Sequence, residues 1–448
     1  MTVAATAATA AAPAGNNSRF GAFVEAPAFG WGFFRLRMKL RIGILGVLIA
    51  LALLLLAGAH ARWLVTGPQD PRFVRFLRRH ARRANAEAIL PPRGTAVDRQ
   101  GQPLAVAGST FQLVLDDLAL AAHGGPVPLT LDAHLQAVAE TALKNRRGAV
   151  VALEPATGRL RALVSTPRDD ALNRALNGLY PPGSTFKIFI AAAALGAGLD
   201  PLFDCPAAGY RSARNTPAIR DVEARQRARR GKPWRGFGRL GLDAAFIHSS
   251  NTYFAQLGVA LGPAAFARAV AVARLRDPVV VLPAASVALE SAAGGVPEGL
   301  RAPELAPVAI GQGALQLTPL AVALFTAAIA NDGVSVAPTL DPAARPALRA
   351  QPFTYAAAAR VKAMMRAAVQ RGTGRACDLP GLDVCGKTGT AETGRGGRDH
   401  AWFTCFAPAA TPRLVVTVLV EEGGFGAEAA LPVARAVLRV ARAEGLLE

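Results

Sequence analysis

Apolar residues along this chain arrive in runs of different length and period, and the runs separate a membrane-like segment from strands and helices. From Ile42 to Ala59 the run is unbroken, IGILGVLIALALLLLAGA. Eighteen residues at a helical rise of about 1.5 Å roughly match a bilayer core of about 30 Å. No polar face is present to meet water, which disfavours a buried helix of a soluble domain. No small-residue cleavage site of A-x-A type follows, so the run reads as an uncleaved signal-anchor. Arg35, Arg37, Lys39 and Arg41 on its N-terminal flank favour an inside N-terminus. Arg72, Arg75, Arg78, Arg79, Arg82 and Arg83 pull the other way, but long C-terminal domains translocate largely regardless of charge. The expected topology is a single pass, with residues 1–41 a cytoplasmic tail, 42–59 the transmembrane helix, and the remainder outside the cytoplasmic (inner) membrane.

Residues 60–125 form a basic juxtamembrane segment. Arg72 to Arg83, with Phe73, Phe76 and Leu77 interleaved, reads equally as an amphipathic helix on anionic headgroups and as a solvated helical stalk. A different pattern begins near Leu129. Thr130 or Asp132 can cap a helix running to about Leu143. Ala149–Leu153 and Leu160–Val164 flank Glu154-Pro155-Ala156-Thr157-Gly158, the pattern of a hairpin. The far end mirrors this: Ala401–Phe406 and Leu414–Val420 are apolar strands bracketing Pro408 and Pro412. A closing helix, about Leu431 to Ala443, carries Val433, Val437 and Val440 on one face. Strand-rich ends around a helical middle predict an α+β domain over 126–448, an antiparallel sheet flanked by helices.

Composition changes the picture at two points. The 448 residues carry a formal net charge of +19, yet the arginines are dispersed, aromatics are few, and no nucleic-acid-binding motif is present. A basic protein apposed to a membrane fits better than a nucleic-acid partner. The second point is which cation is used. Only Lys39, Lys144, Lys187, Lys232, Lys362 and Lys387 are lysines among 50 Lys and Arg residues. Arginine stays charged in a protein, whereas a desolvated lysine can be neutral and serve as a base.

Two of those six lysines lie in three short clusters: Ser184-Thr185-Phe186-Lys187, Ser249-Ser250-Asn251 and Lys387-Thr388-Gly389-Thr390. Pro181-Pro182-Gly183 forces a loop before Ser184, and Ile188-Phe189-Ile190-Ala191 reads as buried helix to about Gly196. Ser184 therefore opens a helix, whose free N–H groups favour developing negative charge. Lys187, three residues on, shares its face and can take the hydroxyl proton when neutral. Lys387-Thr388-Gly389 reads as an edge strand on which glycine permits close approach of a ligand. An S-x-x-K alone is a weak signal; three clusters in this order are a strong one.

The set resembles the class B penicillin-binding proteins, peptidoglycan D,D-transpeptidases of the serine penicillin-recognising group. The similarity extends to Asn173-Arg174-Ala175, Gly148–Ser165, Gly311-Gln312-Gly313, His400-Ala401-Trp402-Phe403, and Arg93-Gly94 with Asp98-Arg99, so it runs from about residue 90 to the C-terminus. It implies the penicillin-binding transpeptidase / serine β-lactamase-like fold. It also implies roles. Ser184 would attack the penultimate D-Ala carbonyl of a stem peptide, with Lys187 as base. Ser249 would relay the proton to the leaving amine beside a cationic Lys387, and Asn251 would hydrogen-bond Lys187 or the substrate amide. The N–H groups of Ser184 and Thr390 would form the oxyanion hole, and Thr388 and Thr390, around Gly389, would receive the donor carboxylate. Implied partners are peptidoglycan stem peptides, β-lactams, the membrane and a membrane glycan polymerase; no cofactor, metal or nucleic acid is implied. His400 is expected beside the third cluster without a catalytic role.

Class A β-lactamases place a water-activating Glu after the second motif. Between Asn251 and Leu289 this chain has no Glu and a single acid, Asp277, which favours an acyl-enzyme discharged by an amine. The alternatives are a D,D-carboxypeptidase and a non-catalytic penicillin sensor or scaffold. The chain also departs from its class. About 35 residues separate Arg93 from Leu129, so the usual pedestal is much reduced. Arg211 to Arg239 holds ten Lys and Arg residues against Asp221 and Glu223; a solvated loop is expected there, a grip on anionic glycan or lipid pyrophosphate being the alternative. Of Cys205, Cys377, Cys385 and Cys405, the pair Cys377 and Cys385 brackets a Pro-Gly turn and could form a disulfide.

Overall fold

The computed structural model describes residues 95–104, 112, 114–118, 125–168, 170–393 and 398–448. All described residues belong to one compact unit, Ala86–Glu448. The expected tail, membrane segment and basic stretch Arg72–Arg83 lie outside the described residues.

Strands β1 (Ala96–Val97), β2 (Pro103–Leu104) and β3 (Val127–Pro128) form a small sheet in the order β2-β1-β3. It is fastened to helix α1 (Ala133–Leu143), whose cap Asp132 accepts from the N–H groups of His134 and Leu135. Arg99 Nε donates to Asp132 Oδ2 at 3.0 Å, and Asp98 Oδ2 accepts from Ala133 N–H at 3.1 Å. The Asp98-Arg99 pair thus clasps the small sheet to the N-terminus of α1.

The expected hairpin follows as β4 (Gly148–Leu153) and β5 (Leu160–Thr166). Next come α2 (Lys187–Gly196), β6 (Phe203–Pro206), α3 (Val222–Arg229), β7 (Gly236–Leu240), α4 (Leu242–His248) and α5 (Asn251–Val272). Helix α5 is kinked at Gly262, φ 75°, just before Pro263, where proline cannot continue the ladder. It is long and apolar enough by composition to cross a membrane, but it carries the second motif at its first residue and packs its Tyr253, Phe254 and Leu257 into the core. Helices α6 (Pro319–Ala330) and α7 (Tyr355–Arg371) precede β8 (Cys385–Ala391), β9 (His400–Ala407), β10 (Leu414–Val420) and α8 (Leu431–Ala443).

The central sheet runs β8-β9-β10-β4-β5, antiparallel throughout. Its strands are buried on both faces, so they read as continuous apolar runs while their side chains alternate between two cores. Ala149, Val151 and Leu153 point into one core with α2, α5 and α6; Val150 and Ala152 point into the other with α1 and α8. Helix α6 is apolar except for Thr326 and buried at every position but Ala321, as a helix with no polar face must be. Helix α8 buries Leu431, Val433, Ala434, Val437, Leu438 and Ala441 and exposes arginines on its other side.

All four cysteines are free and buried, so the disulfide that Cys377 and Cys385 could form is not made. Cys377 lies in the core with α1 and α8, Cys385 in the opposite one. The two side chains thus belong to cores on opposite faces of the sheet, and Cys377 has Cys405 as its thiol neighbour.

Candidate active site

Pro181-Pro182-Gly183 delivers the chain into a 3-10 turn over Gly183–Phe186, and α2 continues from Lys187. Ser184 therefore opens a helical run, though its own turn is 3-10. Gly183 has φ +53°, and a Cβ there would lie 2.6 Å from the Thr390 carbonyl oxygen. Only glycine allows the first and third motifs to approach this closely. Phe186 stacks on Phe189 at 5.0 Å inside the core, which leaves Ser184 half-buried at the cleft and Lys187 fully buried beneath it.

Helix α4 ends at Ser249, held in the left-handed region at φ 57°, ψ 37°. Ser250 then caps α5, its Oγ accepting from Tyr253 N–H at 3.2 Å. This sharp reversal turns Ser249 and Asn251 towards Lys187. Lys187 Nζ donates to the Ser249 carbonyl at 2.6 Å, to Asn251 Oδ1 at 2.7 Å and to Ser249 Oγ at 3.4 Å.

The third motif lies on β8, the edge strand of the sheet, as its sequence predicts. Lys387 Nζ donates to Ser249 Oγ at 2.7 Å and to the Thr388 carbonyl at 3.1 Å. The missing side chain of Gly389 serves packing as well as the cleft. A Cβ there would meet Thr185 Cγ2 and Trp402 Cβ, each at 2.9 Å. Thr388 Oγ1 shares a hydrogen bond of 2.6 Å with Thr373 Oγ1.

Two lysines thus converge on one serine hydroxyl, both fully buried, with Phe254 and Phe246 as apolar walls 5.5 and 5.7 Å from their ammonium nitrogens. Burial lowers Lys187 to about 7, against the opposing pull of Asp221 and Glu223. Burial also lowers Lys387 strongly, and the neighbouring Lys187 charge adds to the effect. The surroundings favour one shared charge over two. Among the described residues no hydrogen bond joins Ser184 Oγ to either lysine; both are engaged with the second motif.

The cleft above these groups has a volume of about 1040 Å³ and is lined by Ser184, Ser249, Asn251, Thr388, Gly389 and Thr390. The five catalytic candidates and three binding candidates read from sequence therefore meet at one place: six line the cleft, and the two lysines lie beneath it. His400 sits on β9, accepting at Nδ1 from Glu422 N–H at 3.1 Å and packing edge-on to Tyr180.

The basic segment 211–239 is not the solvated loop expected of it. It forms α3 between strands β6 and β7, which pair with each other, and one side of it lines the cleft. Its two acids are the residues that sequence reasoning missed. Asp221 is 3% exposed and contacts the second motif; Glu223 is half-buried at the cleft wall, where burial raises its carboxyl above the usual range. Their signal was their scarcity within a run of ten cations. Glu223 also widens the argument from the missing Glu, since a carboxylate enters the cleft from before the second motif. At the rim, Arg225 pairs with Glu392 across 2.9 Å.

Residues 148–439 match the family of penicillin binding protein transpeptidase domains, and the chain belongs to that family. It is 34% identical over 373 residues to the peptidoglycan D,D-transpeptidase PbpA of Mycolicibacterium smegmatis, covering 72% of this chain and 74% of the relative. The corresponding protein of Mycobacterium tuberculosis is 32% identical over 439 residues, covering 83% and 85%. The solved ceftriaxone acyl-enzyme complex of penicillin-binding protein A from M. tuberculosis superimposes with a TM-score of 0.67 at 26% identity, covering 78% of this chain and all but 2% of that one. The D,D-transpeptidase domain of a peptidoglycan glycosyltransferase from Eggerthella lenta gives a TM-score of 0.66 at 28% identity, covering 79% and 99%.

Proposed function

We propose that the protein is a serine-type peptidoglycan D,D-transpeptidase that also reacts with penicillin. The observation that carries this reading is the convergence of two fully buried lysines on Ser249 Oγ beneath a cleft lined by Ser184.

In the first half-reaction Ser184 Oγ attacks the penultimate D-Ala carbonyl carbon. Its proton passes to a neutral lysine, and Lys187, at about 7, is neutral often enough to accept it at physiological pH. The Ser184 and Thr390 N–H groups receive the oxyanion, where preorganised donors contribute most of the stabilisation. Collapse breaks the C–N bond, and Ser249, bonded to both lysine nitrogens, relays a proton to the departing D-Ala amine. In the second half-reaction an acceptor amine attacks the ester, loses a proton to the site, and releases Ser184. Asn251 holds Lys187 in place. Thr388 and Thr390 take the donor carboxylate beside the Lys387 potential, and Gly389 keeps this strand against the first motif.

Residues 126–448 act as the transpeptidase domain, residues 42–59 as a single membrane anchor, and the catalytic domain works outside the cytoplasmic membrane. A membrane glycan polymerase is the partner that would supply nascent strands. The relatives' names and the β-lactam acyl-enzymes among similar structures support this reading.

The test is product analysis with the full-length protein, a D-Ala-D-Ala stem peptide, and an amine acceptor present or absent. Mass spectrometry should find the cross-linked amide, with Ser184 acylated after penicillin treatment and no acylation in Ser184→Ala. Hydrolysis alone in the presence of the acceptor would make the protein a D,D-carboxypeptidase. Labelling by penicillin independent of Ser184 would overturn the assignment of the nucleophile.

A further inference from the structure

We propose that Asp221 is a positioning residue of the active site: it clamps the second motif in its working conformation and supplies the fixed negative charge beside Lys187. The proposal rests on the transpeptidase reading, since it concerns how the base of that reaction is held.

Asp221 stands just before α3, inside the most basic stretch of the described domain, yet it is buried to 3% exposure. Its Oδ1 accepts from Ser250 Oγ–H at 2.9 Å and from Thr252 N–H at 3.1 Å. Ser250 uses the same hydroxyl oxygen to cap α5, so Asp221 fixes the cap that starts the helix. The preceding residue completes the grip. The Arg220 carbonyl accepts from Asn251 Nδ2 at 3.1 Å, which turns the amide so that Asn251 Oδ1 faces Lys187 Nζ. Between these anchors Ser249 is held in the left-handed region, which is unfavourable for a non-glycine residue and persists only where neighbours over-determine it.

The second Asp221 oxygen, Oδ2, is buried and has no protein hydrogen-bond partner among the described residues. Its negative charge is therefore not consumed by a local ion pair. The charged and titratable groups around it are few. Lys187 on α2 is the buried cation on which its charge acts. Glu223 on α3 and Cys205 on β6 are the titratable groups it acts on, and Arg220 beside it in the chain is exposed. A buried ammonium needs a buried counter-charge, and Asp221 is the foremost charge acting on Lys187. Removing that charge makes it easier for Lys187 to lose its proton. The acid limb of acylation then moves to lower pH, while any loss of geometry lowers the rate without moving the limb.

The experiment compares Asp221→Asn with Ser250→Ala in the full-length protein. Asn keeps an oxygen acceptor for Ser250 and Thr252 but removes the charge; Ser250→Ala removes one clamp bond and leaves the charge. The readout is the second-order rate of acylation by fluorescent penicillin across pH 5–9. In Asp221→Asn the acid limb should move down by roughly one unit; in Ser250→Ala the rate should fall with the limb in place. A limb that stays put in Asp221→Asn, or moves equally in both variants, overturns the proposal. Selective lysine labelling gives a second readout that needs no catalysis, because six lysines make a sparse NMR spectrum. The Lys187 titration should move by the same amount in Asp221→Asn even if Ser184 were not the nucleophile, and an unmoved titration would overturn the proposal.

Discussion

Lys187 and Lys387 face the same hydroxyl from two different elements, and burial acts on both in the same direction. The consequence is a pH dependence with a definite sign. The base is productive when neutral, and Lys187 lies near 7. Acylation should therefore rise about tenfold per pH unit below 7 and level off above it, which stopped-flow labelling with a fluorescent penicillin would read. A flat profile from pH 5 to 9 would remove Lys187 from the role. A second expectation follows from the scarcity of lysine. Lys187→Arg keeps a cation but cannot give up its proton, so acylation should fall by about 10²–10⁴-fold, the usual range for loss of a general base. Near-normal labelling of that variant would show that charge alone suffices. At this scale the sequence pointed to the lysines through their rarity against arginine, a signal available without structure. It did not show that both share Ser249, because that meeting depends on three elements folding together.

The elements legible in the sequence were those whose determinants are local. Asp132 and the apolar spacing after it mark α1; the two apolar runs around Pro155 and Gly158 mark β4 and β5; Val433 and Val437 mark the buried face of α8. Segment 211–239 was misread for the opposite reason. Its described arginine side chains are exposed, but α3 is placed by contacts of Asp221 with Ser250 and Thr252, which lie 29 and 31 positions away. The cysteines show the same limit, since nearness of Cys377 and Cys385 in sequence says nothing about which face of the sheet each one enters. Gly389 supplies a test of element packing. Adding a methyl would place a Cβ 2.9 Å from Thr185 Cγ2 and Trp402 Cβ, so β8 and the first motif must separate. Gly389→Ala should cost about 1–3 kcal/mol, measured by urea unfolding, and should slow acylation because Ser184 and Thr390 are displaced together. Unchanged unfolding and labelling would mean that the two motifs have slack between them.

Across the whole domain, one buried ion cluster ties together stretches that local pattern cannot relate. Arg174 is fully buried and donates to Asp170 Oδ2 and to Glu421 Oε1, each at 2.7 Å. Glu421, one residue past β10, also accepts from Tyr180 Oη–H at 2.6 Å and from Arg147 Nε at 2.7 Å. The approach to the first motif, the approach to β4 and the end of β10 therefore meet at one carboxylate. Burial opposes its charge, but the Tyr180 hydroxyl and the charges of Arg174 and Arg147 prevail and hold it below the ordinary 4.5 of a glutamate. A carboxylate with a lowered folded pKa contributes stability that is present above its unfolded value and is lost as pH falls through the folded value. Glu421→Gln leaves Arg174 buried with a single, partly exposed partner, Asp170, so it should cost about 3–5 kcal/mol at pH 7. As pH falls below the ordinary glutamate value of 4.5 and through the lowered folded value the deficit should shrink, because the unfolded carboxylate takes up its proton before the native one does. Urea midpoints of both proteins at pH 7 and pH 3.5 measure the difference. A deficit independent of pH would assign the loss to shape rather than charge, and the absence of any deficit would mean that Asp170 alone satisfies Arg174.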